Sequence, residues 1–138
     1  MIDGNTEFGQ RVARRLAEEQ IGWLTTVDST GTPQPRPVWF LWQDNSLLIY
    51  SRPGTRKLEH IVRNPRVSLN LDGDGRGGDI VVLTGVAEID LQAPPANQLP
   101  AYVEKYRAGF ERIGMTAPAF AQVYSVAIRV HVDKLRGH

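Results

Sequence analysis

The stretch LNLDGDGRGGDIVVLTGVAEI, Leu69 to Ile89, decides the fold. Gly73, Gly75 and Gly78 satisfy G-x-G-x-x-G, the spacing of a dinucleotide-binding turn. That turn works only where a strand enters it and a helix leaves it, because the helix N-terminus supplies the phosphate site. Here Ile80 opens a β-branched run, so the glycines join two strands. The same loop starts with Asp72 and Asp74 in the manner of a calcium loop. Arg76, however, stands where a ligand belongs, and Leu83 stands where the bidentate glutamate belongs. A hairpin connection remains, and with it an antiparallel sheet.

Reading outward, Val67, Leu69 and Leu71 alternate with Ser68, Asn70 and Asp72, which predicts a half-buried strand before the loop. Ile21 to Val27 reads as a strand ending in the turn Asp28 to Gly31. Arg36 to Trp42 and Leu47 to Ser51 read as a hairpin through Gln43, Asp44 and Asn45. Val126, Ile128, Val130 and Val132 mark a closing strand. Phe8, Val12 and Leu16 recur every four residues, the stripe of an N-terminal helix. Thr55 to Arg63 reads as a short helix stopped by Asn64 and Pro65. Leu99, Tyr102, Val103 and Tyr106 mark a second long helix. Six strands with few helices, and no regular βαβ alternation, predict a mainly β (α+β) chain built on an antiparallel barrel.

Composition bounds the function. The 138 residues are 41% apolar, which predicts one domain, 1–138, with a real core. A net charge of +1 implies no basic face for nucleic acid. No cysteine is present, so thiolate metal sites are excluded and a reducing cytoplasm suits the chain. An apolar run of about 18 residues is lacking, so no membrane span is expected. His60, His131 and His138 lack metal-ligand spacing and read as surface or structural residues. With no legible acid, base or nucleophile, enzymatic chemistry here would fall to a cofactor.

The segment YSRPGTRKLEHIVRNP, Tyr50 to Pro65, then stands out. Arg56 and Lys57 begin a helix, where cations oppose the positive end of the macrodipole at about 0.3–1 kcal/mol each. A phosphate held among the free amides would reverse that sign, with Ser51 and Thr55 as hydroxyl donors and Arg52 as a further charge. The other reading is a solvated basic pair on an exposed turn. In the preceding QPRPVWFLW, Pro35 and Pro37 cannot donate to a ladder and belong on an edge strand. Trp39, Phe40 and Trp42 follow, suited to a planar phosphorylated ligand or to packing in the core or between subunits.

These features together resemble a known family. From GWLTTVDSTGTPQPRPVWF through NPRVSL to the C-terminal strand, the chain is similar to the pyridoxamine-phosphate-oxidase-like split barrels, and in particular to their actinobacterial deazaflavin-dependent branch. The resemblance implies an FMN-binding-like six-stranded split β-barrel with flanking helices. It also implies a cytoplasmic homodimer with a cofactor in each interface groove. Arg56 and Lys57, assisted by Ser51 and Thr55, would hold the phosphate. Pro37, Val38 and Trp39 would line the ring, with Tyr50 nearby. The implied cofactor is coenzyme F-420, with FMN as the alternative. The implied activity is hydride transfer to an unsaturated small-molecule substrate, the alternatives being an FMN oxidoreductase or an F-420 carrier without turnover.

Overall fold

The computed structural model describes residues 1–138. The chain runs α1 (Glu7–Glu18), β1 (Ile21–Val27), β2 (Pro33–Trp39), β3 (Leu41–Gln43), β4 (Ser46–Ser51), α2 (Arg56–Arg63), β5 (Arg66–Asn70), β6 (Val81–Ile89), α3 (Pro100–Arg112), α4 (Ala117–Val123) and β7 (Val126–Gly137). All strand pairs are antiparallel, in the order β2-β1-β5-β6-β7-β4-β3. The two edge strands, β2 and β3, are separated in sequence by Phe40 alone. The sheet therefore has to curl until its edges approach each other, which makes the predicted split barrel.

The strand count is seven rather than the expected six, because the run from Arg36 to Trp42 is broken at Phe40. The Phe40 N–H donates to the Tyr106 hydroxyl (2.7 Å), and its carbonyl accepts from Lys105 Nζ (2.9 Å). Side chains of α3 have taken the bonds that a continuous ladder would have used. The Tyr106 hydroxyl also bonds the Gln20 carbonyl (2.7 Å), which ties the helix to the end of α1.

The prolines hold the predicted edge. In β2, Gln34, Arg36 and Val38 face Thr26, Leu24 and Gly22 of β1, and Pro33, Pro35 and Pro37 fall between them. Backbone groups of alternate residues point the same way, so the ring nitrogens interrupt only the free side of the strand. Asp44 and Asn45, at φ 51° and 58°, form the β3–β4 turn as a two-residue hairpin loop demands. After Gly78 the chain enters β6, a strand as expected, and Asp74 Oδ1 closes the loop by accepting from Arg76 N and Gly78 N.

Two apolar clusters result. Val12, Leu16, Leu24, Phe40, Leu47, Ile49, Leu69 and Ile128 fill the barrel. Leu41, Leu48, Tyr50 and Ala127 face outward against Tyr102, Tyr106, Phe110 and Phe120 of α3 and α4. Every residue of β4 is consequently buried. Each such aliphatic side chain contributes about 1.5–3 kcal/mol on burial. No helix is long and apolar enough to cross a membrane.

Candidate functional site

A cavity of about 350 Å³ opens where the β2 edge meets β4, the start of α2 and the helices α3 and α4. Five of the residues singled out in the sequence border it: Pro37, Val38, Trp39, Tyr50 and Lys57. Ile21, Ile113, Phe120 and Tyr124 complete the wall. Sequence reasoning missed these four, Phe120 and Tyr124 because α4 went unrecognised, and Ile21 and Ile113 because they stand at the ends of β1 and α3 with no local mark of a ligand. The signal was present: Thr116 caps α4 by accepting from Ala119 N, and Pro118 follows within the first turn.

The indole of Trp39 forms the cavity's aromatic wall. It stacks on Tyr106 at 4.5 Å and on Phe120 at 5.3 Å. Phe120 in turn stacks on Tyr124 at 4.4 Å, and the Arg52 guanidinium lies 5.2 Å over that ring. Trp39 is thus both packed and partly open to the cavity. Tyr50 turns its hydroxyl away to the Pro94 carbonyl (2.6 Å), and burial pushes its ionisation up to about 12.

At the polar end, Thr55 is the N-cap residue of α2, but its side chain makes no cap bond. The Arg56 and Lys57 amides have no partner within the helix. The Thr55 hydroxyl instead meets Ser51 Oγ (3.1 Å) and receives a long contact from Lys57 Nζ (3.5 Å). Ser51 is buried and donates to the Arg52 carbonyl (2.8 Å). The Lys57 amine is held below its ordinary value, first by burial and then by the nearby Arg36 charge. Burial likewise lowers Arg36. Neither cation owes anything to a carboxylate, so the pair is an uncompensated concentration of positive charge beside free amides.

Two departures from the sequence reading matter. Arg56 is exposed and borders a different, polar depression with Asp28, Ser29, Glu59, His60 and Arg63. Consecutive helical residues are about 100° apart, so Arg56 and Lys57 cannot share a face. The second cation of the pair is Arg36, which lies between Pro35 and Pro37 on β2 and had no distinguishing neighbour in sequence. Its guanidinium makes long contacts with Thr26 Oγ1 and the Gln34 carbonyl, both 3.5 Å.

A family model for pyridoxamine 5'-phosphate oxidase matches residues 8–137. The chain belongs to that family. A pyridoxine/pyridoxamine 5'-phosphate oxidase of Citrobacter koseri is 35% identical over 63 residues, covering 45% of this chain and 29% of that protein. The match thus spans less than a third of the relative's length. Among solved structures, an F-420 reductase superposes with a TM-score of 0.64 at 23% identity, over 89% of this chain and 94% of its own. A FAD-binding protein of Mesorhizobium loti gives a TM-score of 0.64 at 23% identity, over 89% and 88%. At such identities these structures establish the shared split-barrel fold.

Proposed function

We propose that the cavity seats the ring of a phosphorylated flavin-type cofactor, and that the protein is an oxidoreductase passing hydride between reduced F-420 and an unsaturated small molecule. One observation carries this reading: Lys57, a half-buried cation with no acidic partner and with the Arg36 charge nearby, borders an aromatic-walled cavity in the first turn of α2, where the helix amides are unpaired. A phosphate would satisfy these donors and neutralise the like charges, which water can only screen. Arg56, on the outer rim, adds long-range attraction.

When bound, the cofactor supplies hydride transfer, so the chain needs no acid or base of its own. Pro37, Val38 and Trp39 present one side of the ring site, and Phe120 and Tyr124 exclude water from the apolar end. The work left to these residues is to hold ring and substrate at about 3–3.5 Å. F-420 is preferred over FMN because of the sequence likeness of the Pro-Val-Trp-Phe strand; FMN fits the same donors. Titration of both, followed by fluorescence, tests the reading: tighter binding of F-420 is expected, and binding of neither overturns it. Reduction of an enone by pre-reduced F-420 separates an enzyme from a carrier.

The same proposal includes a C2 homodimer that completes the groove. Ile113 borders the cavity yet is 43% exposed, and Trp23 is 36% exposed on the β1 face. Light scattering at micromolar concentration is expected to give twice the 15.4 kDa chain mass; a monomeric mass contradicts it.

A further inference from the structure

We propose that Thr26 and His60 are positioning residues that hold Arg36 in the phosphate seat; the inference rests on the reading of that seat given above. Arg36 lies beside a second cation, so repulsion favours its turning away towards water, and something must oppose that. Thr26 is positioned to do so. It is fully buried on β1, and its hydroxyl has two partners: Arg36 Nη2 at 3.5 Å and His60 Nδ1 at 2.7 Å. The register sets Leu24 opposite Arg36, so Thr26 is the diagonal neighbour of Arg36 on the same face of the sheet. His60 lies three residues beyond Lys57 on α2, and residues so spaced share a helix face. Arg36, Thr26 and His60 thus form a chain of contacts between sheet and helix, with Lys57 one turn before His60 on α2.

Proton accounting gives this chain of contacts a direction. A guanidinium only donates, so Thr26 accepts from Arg36. The buried hydroxyl then needs an acceptor for its own proton, and His60 Nδ1 is the ring atom that offers one. The chain therefore runs Arg36 to Thr26 to His60, with Nδ1 unprotonated. His60 also borders the polar depression that holds Asp28, Glu59, Arg56 and Arg63, so its outer side stays in contact with water.

A double-mutant cycle tests the proposal, with F-420 titrated against its phosphate-free riboside and FMN against riboflavin. Thr26→Val keeps the shape of the side chain and removes the hydroxyl. It is expected to weaken the phosphorylated ligand about five- to tenfold and leave the phosphate-free one unchanged. Thr26→Ser is expected to restore affinity, and Thr26→Val is expected to be silent in an Arg36→Gln background. If Thr26→Val fails to fold, His60→Ala, at a half-buried position, is expected to give the same pattern. Equal weakening of both ligands, or an effect that persists without Arg36, overturns the proposal and leaves the phosphate seat standing. Failure of the wild-type protein to distinguish phosphorylated from phosphate-free ligands overturns the seat and this inference with it.

Discussion

Trp39 lies against the bare backbone of Gly109: a Cβ at position 109 would come within 2.9 Å of the indole Cη2 and Cζ2. Glycine inside a helix costs about 1 kcal/mol relative to alanine, so α3 accepts that cost to let the indole approach. Gly109→Ala recovers the propensity but pushes Trp39 off its stack with Tyr106 and Phe120. The two stability effects nearly cancel, and the melting temperature is expected to stay within about 5 °C of wild type. Affinity for the proposed cofactor, whose ring the indole would line, is expected to fall about tenfold or more. Ligand titration beside thermal melting checks both parts.

Lys57→Ala removes a charge-assisted contact from the proposed phosphate seat. Affinity for the phosphorylated cofactor is expected to fall by about 1.5–3 kcal/mol, roughly ten- to more than a hundredfold. The melting temperature of the ligand-free protein is expected to hold or rise, because burial and the Arg36 charge both disfavour the ammonium. Arg56→Ala, one residue away on another helix face, is expected to cost less than about fivefold. Equal losses for the two variants would place the phosphate elsewhere.

Tyr102 is fully buried between Tyr50, Tyr106 and Phe120, and its hydroxyl has no hydrogen-bond partner. An unmet buried donor costs about 1–3 kcal/mol. Tyr102→Phe is therefore expected to raise stability by about 1 kcal/mol, seen as an upward shift of a few degrees in thermal melting. A loss of stability would mean that the hydroxyl is satisfied in solution.

Stability is expected to peak near pH 9–10. Burial lowers Lys105 from 10.5 to about 8, with Glu19 partly opposing it. Between these values the unfolded chain binds a proton that the folded chain does not, so stability rises with pH across that window. Burial raises the tyrosines instead, Tyr50 from 10.0 to about 12, with Tyr102 and Tyr106 also displaced upward. Above pH 10 the unfolded chain releases protons that the folded chain keeps, and stability falls. Melting temperatures from pH 7 to 11 test this, and Lys105→Met is expected to abolish the rising limb.

Most of the strands were legible in the chain. Alternation in Val67 to Leu71 and in Val126 to Val132, and the strand that follows Gly78, are local patterns, and local patterns need only period and composition to be read. The prolines of β2 announced an edge because a missing N–H is a property of the residue itself. Lys57 and Trp39 stood out by residue type and Tyr50 by the family resemblance, and all three border one cavity.

Tertiary structure alone decided what depends on residues distant in sequence. The break at Phe40 arises from Tyr106 and Lys105, more than sixty positions away, and no reading of QPRPVWFLW contains them. The exchange of Arg56 for Arg36 has the same origin. In sequence Arg56 and Lys57 are adjacent and Arg36 is remote, but the helical turn separates the first two, and β2 brings Arg36 to the Lys57 charge. Sequence by itself determined which cations, hydroxyls and aromatic rings this protein has to offer a ligand. The curled sheet decided which of them meet, because charge and stacking act over a few ångströms of space whatever the separation along the chain.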